Sequence, residues 1–298
     1  MNKSKVYVMM LLATVFWSGA FIAGKYNAPY IPPFTLTFLR FAIATVVLYV
    51  VIKVMKVEFQ LKKEHIPLFL VTGIVGMFGY HVFFFWTFKY TSAINASIIA
   101  ASSPITTSIF VAIFMKQFVS KRQLAGIGIS FLGVILTITG MNVNLLREFS
   151  LNIGDLFMLI ATILWAIYSV FSKAKCNHIP PIIITFYSFL VCTIFVIPFS
   201  VYEKPWTFLP QAPMAAWISI VYMAIFPSVI GYLTQQYAIK EIGPTRASNF
   251  VNLIPIFSMI LAIIILGEEL VWAKVFTAIM IIFGVLLCQM EGSSRSDN

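Results

Sequence analysis

The chain alternates between apolar runs and short polar connections along its whole length. A helix of about 20 apolar residues is long enough to cross the hydrocarbon core of a bilayer. The connections contain Pro, Gly or Asn, which are typical of turns between helices. The pattern predicts ten transmembrane helices, at positions 6–24, 33–54, 66–87, 93–115, 123–140, 153–172, 181–200, 214–236, 246–266 and 271–289.

An internal repeat relates these helices to one another. Residues 13–41 align without a gap on residues 161–189, so that Trp17 coincides with Trp165. Self-similarity over so long a period indicates a structural repeat. Further identical pairs are Lys25/Lys173, Pro33/Pro181, Lys89/Lys240, Ala96/Ala247, Ser97/Ser248 and Pro104/Pro255.

The repeat predicts how the two halves of the chain are arranged. Each half holds five predicted spans, and an odd number makes the second half enter the bilayer in the opposite orientation. Inverted repeats are a common architecture of secondary transporters, with the binding site near mid-membrane. The sequence therefore predicts an all-α integral membrane protein with two inverted five-helix repeats, residues 1–147 and 148–290, and a short cytoplasmic tail, residues 291–298.

Composition agrees with a chain that is surrounded by lipid. Hydrophobic residues make up 60% of the chain and charged residues 10%, with a mean hydropathy of +0.96. A soluble domain carries about 25% charged residues, so this class is excluded. The net charge of +10 comes from Lys and Arg in short clusters between apolar runs. Such clusters are typical of membrane-helix ends and do not form the basic face that nucleic-acid binding needs.

The distribution of Lys and Arg predicts the orientation, because cytoplasmic connections carry more of these residues than external ones. With the N-terminus in the cytoplasm, 14 of the 20 lie on the cytoplasmic side, 5 lie outside, and Arg40 lies within a span. Both termini are therefore predicted to be cytoplasmic. We expect the membrane to be the inner (cytoplasmic) membrane of a bacterium.

Several motifs stand at set places in the predicted spans. Trp17, Phe21 and Lys25 end the first span, and Pro33 and Phe38-x-Arg40 begin the second. The second half adds Ala247-Ser248, Pro255, Gly267-Glu268 and Gly284-Val285. In order and spacing, these motifs resemble the EamA family of the drug/metabolite transporter superfamily over nearly the whole chain.

The resemblance implies a fold of five plus five spans and export of small metabolites, including amino acids and their derivatives, by alternating access. No cofactor is predicted. Two positions depart from the family pattern: Lys116-Gln117 stand where the family often carries Gly-Glu, and Ser188 stands where Arg40 lies in the other half. Both departures argue against symmetric substrate binding at these positions.

Aromatic residues in the middle of spans are candidates for a cavity lining. Tryptophan prefers the interface belts of a membrane, so the mid-span Trp17 and Trp165 favour a cavity over the alternative, which is core packing. Tyr168 lies on nearly the same face as Trp165. Tyr80 and His81 lie within the third span, where an ionisable group indicates a functional site. The alternative for His81 is a packing histidine bonded to a neighbouring hydroxyl.

Amides inside the spans complete the predicted substrate-binding set, which adds Asn95, Gln235 and Asn252. Asn252 is the strongest of the three because it is bulky, polar and deep in its span. Hydroxyl side chains in a membrane helix often bond to backbone carbonyls instead. We predict this structural role for Ser102, Ser103 and Thr106.

The charged residues of the spans are predicted to lie near the membrane surface. Arg40 is close enough to the end of its span for the side chain to extend outward. Asp155 and Glu268 lie at span ends. The sequence thus predicts no buried carboxylate of the kind that many proton-coupled transporters use.

Small residues and prolines predict where helices pack closely or bend. Gly73, Gly76 and Gly79 form a smooth stripe on the third span, which allows close approach of a neighbouring helix. Pro104 and Pro255 occupy matched places in the fourth and ninth spans, where proline kinks a helix. Gly76, Gly79, Pro104 and Pro255 are the predicted hinge and packing residues of a rocking motion.

The predicted function is a secondary transporter that moves small organic metabolites through a central cavity between the repeats, with export of amino acids or related compounds favoured. An antiporter of phosphorylated or nucleotide-linked substrates stays open as an alternative, although Lys89, Lys240 and Arg246 lie at span ends. A lipid-handling protein or an intramembrane enzyme is the alternative of another class. No catalytic or metal-ligating residue is predicted, since the sequence has no HExxH or GxSxG motif.

Overall fold

The structure, a computed structural model, describes residues 3–114, 121–138, 141 and 152–289. Within these ranges all regular structure is helical. In chain order the helices are α1 (Lys3–Asn27), α2 (Pro33–Val54), α3 (Lys63–Tyr90), α4 (Ala93–Phe114), α5 (Lys121–Ile138), α6 (Ile153–Cys176), α7 (Pro181–Tyr202), α8 (Met214–Ile242), α9 (Pro244–Leu266) and α10 (Trp272–Gln289), with short 3-10 turns at Pro205–Thr207 and Leu209–Gln211.

Eight of the described helices, α1 to α4 and α6 to α9, are long and apolar enough to cross a membrane. The apolar parts of α5 and α10 are shorter, Leu124–Thr137 and Trp272–Gly284. The predicted class, an all-helical membrane protein, is confirmed. The predicted boundary at 147/148, the tail at 291–298 and the Lys116-Gln117 pair lie outside the described residues.

Two helices widen into π-helix half-way along their length, α3 over Thr72–Gly79 and α8 over Ala224–Tyr232. Pro227 lies inside the second segment. A proline within a helix removes one N–H donor and displaces the carbonyl four residues earlier, so the regular ladder cannot continue there. Insertions of this type are frequent at functional sites.

Two other helices are interrupted just before the matched prolines. α4 consists of Ala93–Ala100 and Ser103–Phe114, so Pro104 lies in the first turn of the second piece. In α9 a 3-10 segment ends at Leu253, and a new α-helical piece begins at Ile254, next to Pro255. Proline disfavours helical backbone in the residue before it and is well tolerated in a first turn. The hinge role of these prolines stays a prediction.

The packing partners of the helices follow one rule. α2 packs along α7, and α5 packs along α10. α1 contacts α8 and α9, whereas α6 contacts α3 and α4. If each helix number is shifted by five, the contacts of α1 with α8 and α9 become those of α6 with α3 and α4. The α2–α7 and α5–α10 pairs map onto themselves.

Lysines at matched places in the repeat hold the last carbonyls of neighbouring helices. Lys25 Nζ donates to Phe88 O at 3.0 Å and to Thr91 O at 2.8 Å, at the end of α3. Lys173 Nζ donates to Lys240 O at 2.7 Å, at the end of α8. The last carbonyls of a helix have no partner within it, and a cation placed there also matches the helix dipole.

Glutamates accept hydrogen bonds from backbone N–H groups at the N-terminal ends of other helices. Thr35 N donates to Glu203 Oε2 at 2.7 Å, at the start of α2. Ala93 N and Ile94 N donate to Glu268 Oε1 and Oε2 at 2.8 and 3.2 Å, at the start of α4. Each carboxylate therefore satisfies free N–H donors of a helix that is distant in sequence.

We expect Glu203→Ala and Glu268→Ala each to lower the thermal unfolding midpoint of the detergent-solubilised protein, because loss of a capping acceptor costs about 1 to 2 kcal/mol. Glu269→Ala is the matched control, since this adjacent side chain is exposed. Intrinsic fluorescence during heating provides the midpoints. Equal midpoints for the Glu268 and Glu269 variants would contradict the capping role.

Candidate functional site

A cavity lies among the helix interruptions and is lined by residues of seven of the described helices. Its volume is about 30 Å³, so the cavity is narrow in this conformation. Its lining comprises Trp17, Ala20, Phe21, Arg40, Tyr80, His81, Phe84, Ala100, Ser103, Trp165, Tyr232, Val251 and Ile254. Four predicted substrate-binding residues are thus brought together: Trp17, Tyr80, His81 and Trp165.

Aromatic rings form most of the cavity wall. The repeat-related Trp17 and Trp165 meet edge to face, with ring centroids 6.1 Å apart. Tyr232 packs against both, at 6.3 Å from Trp17 and 5.4 Å from Trp165, and Tyr80 lies 5.1 Å from Trp165. Such a cluster presents flat apolar surface and few polar groups, and so suits a small ligand with an apolar body.

The two tryptophans differ in their polar contacts. Trp17 Nε1 donates to Pro227 O in the π segment of α8, at 3.1 Å. Gly231 is adjacent, and a side chain at this position would press on the indole ring. Trp165 Nε1 is buried and has no hydrogen-bond partner among the described residues. The indole N–H of Trp17 is therefore engaged, whereas that of Trp165 is free to donate to a ligand.

His81 has both ring nitrogens occupied by protein groups. Nδ1 lies 2.8 Å from Met77 O, and a carbonyl only accepts, so Nδ1 carries the hydrogen. In the neutral ring Nε2 then accepts from the Tyr232 hydroxyl, at 2.9 Å. These contacts match the packing histidine that the sequence left open as an alternative, with the ring still part of the cavity lining.

Arg40 does not extend to the membrane surface, so this prediction is wrong. The side chain is 2% exposed and lines the cavity. Nε donates to Ser228 Oγ at 2.7 Å, and Cζ lies 5.5 and 5.9 Å from the ring centroids of Phe41 and Phe85. Ser228 Oγ in turn donates to Met223 O. The interrupted helix α8 thus offers Arg40 a hydrogen-bond acceptor inside the protein.

Four predicted substrate-binding residues lie outside the cavity lining: Asn95, Tyr168, Gln235 and Asn252. The Tyr168 hydroxyl accepts a hydrogen bond from Gln236 Nε2, and its ring packs on Gly76. Gln235 is fully buried, and neither end of its amide has a partner in the described part of the chain. Asn95 and Asn252 each have a buried Oδ1 without such a partner.

Other polar residues of the spans fall into two groups. The predicted backbone bonds of Ser102, Ser103 and Thr106 are confirmed, each to the carbonyl three residues earlier, at 2.6 to 2.9 Å. Asp155, predicted to be interfacial, is 1% exposed and lies beside Thr91. The expectation that the spans hold no buried carboxylate is therefore wrong, because the turn between α3 and α4 covers this end of α6.

The sequence analysis missed Tyr232 and assigned Arg40 elsewhere. A signal for Tyr232 was present, since the pair Gly79-Tyr80 recurs as Gly231-Tyr232. At the offset that matches Lys89 with Lys240, Tyr232 also aligns with His81, which was itself a candidate. Among the described residues, no cluster of His, Cys, Asp and Glu could hold a metal ion.

Comparison with known proteins adds the family. The sequence model of the EamA-like transporter family matches residues 4–139 and again residues 152–289. The chain belongs to this family. The EamA-like resemblance proposed from the sequence is thereby confirmed, and family membership points to transport rather than catalysis.

Similar proteins match this chain over most of its length. The Uncharacterized transporter YyaM of Bacillus subtilis (strain 168) is 31% identical, over 96% of this chain and 94% of its own. The Probable terminal-alkyne amino-acid exporter of Streptantibioticus cattleyicolor is 23% identical, over 90% and 88%. A crystal structure with 19% sequence identity has a TM-score of 0.68 and covers 96% of this chain and 98% of that one. This last likeness shows the fold alone.

We expect Gly231→Ala to destabilise the protein by about 1 to 3 kcal/mol, the usual range for overpacking a core. An added Cβ would lie 2.6 Å from Trp17 Nε1 and displace the indole from Pro227 O. Gly128→Ala is the matched control, because nothing lies within 4 Å of an added Cβ there. Thermal unfolding and near-ultraviolet circular dichroism measure the effect. An unchanged tryptophan signal in Gly231→Ala would contradict the close contact.

Proposed function

We propose that this protein is a secondary transporter that exports small organic metabolites, chiefly amino acids or related compounds, by alternating access. The observation that carries the proposal is the central cavity, in which Trp17 and Trp165, related by the repeat, face each other. Transporters built from two repeats bind substrate near mid-membrane where the repeats meet. Family membership supports the same activity.

The proposed architecture is ten transmembrane helices in two inverted repeats, residues 1–147 and 148–290. It is supported by the helix contacts, which are preserved when each helix is replaced by the one five places away in the chain. Matched π segments in α3 and α8, and matched lysines at the helix ends, support it as well. Inversion follows from five spans per half, since an odd number reverses the direction of entry.

The proposed orientation places both termini and the tail at 291–298 in the cytoplasm, in a bacterial inner membrane. Contacts between connections agree with it. Asn152 Nδ2 donates to Tyr90 O at 2.8 Å, joining two connections on the proposed outer face. The His65 and His178 rings lie 5.8 Å apart, joining two on the proposed inner face.

Alternating access needs elements that move past one another around the cavity. The breaks before Pro104 and Pro255 and the π segments place irregular backbone beside the cavity, where it can change shape without exposure to lipid. Gly76 lets the Tyr168 ring approach the α3 backbone, and Gly79 does the same for Leu164. The proposed hinge and packing positions of the motion are Gly76, Gly79, Pro104 and Pro255.

The cavity favours amino acids and related compounds over phosphorylated substrates. A phosphate or nucleotide-linked substrate needs several converging cations, whereas Arg40 is the one Lys or Arg in the described lining. Lys25 and Lys173 are engaged with backbone carbonyls. The similarity to a named amino-acid exporter is a further, weaker support.

An enzyme is the weaker alternative on the same geometry. Ser103 Oγ, a hydroxyl in the lining, donates to Ala100 O at 2.6 Å. His81 has both nitrogens occupied by Met77 and Tyr232. The described lining thus lacks the nucleophile hydrogen-bonded to a base that covalent catalysis needs.

We expect Trp165→Ala and His81→Ala to reduce transport at least tenfold, which corresponds to ~1.4 kcal/mol, because each removes part of the cavity wall. A thermal-shift screen with amino acids, polyamines, nucleotide sugars and sugar phosphates selects the substrate, since a ligand of the native state raises its stability. Flux of that substrate in proteoliposomes measures the effect. Trp206→Ala, at a side chain 62% exposed in a connection, is the control. Normal flux in both cavity variants would overturn the assignment.

We expect a cysteine at Gln211 to react with an impermeant maleimide in intact cells, and one at Glu58 to react only after permeabilisation. Both side chains are exposed, and the proposed orientation places them on opposite faces. The test uses a chain whose three native cysteines are replaced. Labelling of Glu58→Cys alone in intact cells would reverse the orientation.

A further inference from the structure

We infer that the cavity selectively binds ligands with a single negative charge, so that the transported compounds are monoanionic carboxylates with an apolar or aromatic body. The inference rests on the proposed function and narrows its substrate class. It assigns Arg40 as the residue that binds the carboxylate. Within the amino-acid-related compounds proposed above, it favours acids whose amino group is absent or blocked over free zwitterions.

The first step is that Arg40 lacks a counter-ion. The guanidinium is 2% exposed, and the described residues place no carboxylate within ion-pair distance of it. Arginine keeps its proton in proteins, so the positive charge persists in the cavity. A buried charge without a partner is strongly unfavourable, and in a membrane protein it marks a ligand or ion pathway.

The second step is that the charge is held with free donors facing a ligand. Nε is engaged by Ser228, and Phe41 and Phe85 pack against the guanidinium. For the N–H donors on Nη1 and Nη2, the described part of the chain supplies no acceptor, and Arg40 lines the cavity. Two N–H groups on a planar guanidinium match the two oxygens of a carboxylate.

A second, independent donor is available in the same lining. The Trp165 indole N–H is buried without a described partner. Trp165 is 5% exposed, and its ring lies 5.1 Å from that of Tyr80, another lining residue. An anionic group satisfies such a donor, whereas an ammonium group cannot, because it has no lone pair to offer.

The third step is that the described lining contains no Asp or Glu. A substrate ammonium would therefore find aromatic faces but no carboxylate, so a zwitterion would leave the occupied cavity with one unpaired positive charge. A monoanion brings the occupied cavity to neutrality. A phosphate dianion would exceed it by one negative charge, so the lone guanidinium also favours a carboxylate over a phosphate.

The test uses five probes that share one phenyl body and differ in charge: hydrocinnamate, phenylalanine, phenylalaninamide, hydrocinnamamide and phenethyl phosphate. Thermal shift and proteoliposome flux are measured for the wild type, Arg40→Gln, Arg40→Lys and the control Arg246→Gln, whose side chain is exposed. We expect hydrocinnamate to bind at least tenfold more tightly than any other probe. Arg40→Gln removes this preference, Arg40→Lys retains part of it, and Arg246→Gln leaves it unchanged.

The thermal unfolding midpoint without ligand shows whether a variant is folded, so the test stays informative if transport is lost for structural reasons. Arg40→Gln removes the unbalanced charge but also the Nε bond to Ser228 and the packing against Phe41 and Phe85, so each thermal shift is taken from the variant's own unliganded midpoint. An Arg40→Gln protein that unfolds cooperatively and prefers hydrocinnamate as strongly as the wild type does would overturn the inference.

The remaining outcomes separate the inference from the proposed function. Transport of phenylalanine or phenylalaninamide as effective as that of hydrocinnamate, and retained in Arg40→Gln, overturns the inference and leaves the transporter intact. Preference for phenethyl phosphate overturns it in favour of a phosphate-binding cavity. Both the inference and the proposed function are overturned if no probe is transported and if Trp165→Ala does not change the flux of the substrate selected by the thermal-shift screen.

Discussion

Hydrocarbon offers no hydrogen bonds, so a chain in a bilayer must satisfy its backbone from within. The helix ends are the most demanding places, because their first N–H and last C=O groups have no partner in the helix. In this protein, glutamates meet the N–H groups at the starts of α2 and α4, and lysines meet the carbonyls at the ends of α3 and α8. Part of the scarce charge in the chain therefore serves its own backbone.

The same constraint connects the helix interruptions to the cavity. Carbonyls in or next to the π segments accept hydrogen bonds from side chains at the cavity. Met77 O is bonded by His81 and Pro227 O by Trp17, both lining residues, and Met223 O is bonded by Ser228, which also binds Arg40. Irregular backbone at membrane depth is tolerated where protein or a cavity covers it. The interruptions and the polar groups of the cavity thus depend on each other, and a change in one disturbs the other.

The two halves of the chain supply matched tryptophans to the cavity but not matched charges. Trp17 and Trp165 meet edge to face, whereas Tyr80 directly follows the π segment of α3 and Tyr232 ends the π segment of α8. Arg40, however, has Ser188 as its counterpart, whose hydroxyl bonds to Thr72 Oγ1 and Ile184 O, away from the cavity lining. A charge supplied by one half alone gives the site a direction, and a substrate with a charged end and an apolar body fits such a site.

The sequence by itself determined the membrane class and the family, and it pointed to four of the residues that line the cavity. Apolar run length, the match of Trp17 with Trp165 and the position of His81 are properties of local sequence, and they do not depend on which helix faces which. The placement of Arg40, Asp155, Gln235 and Asn252 was decided by tertiary structure. Whether a polar side chain in a span reaches headgroups, a cavity or a neighbouring helix depends on the acceptor nearest to it. That acceptor, such as Ser228 for Arg40, is distant in sequence.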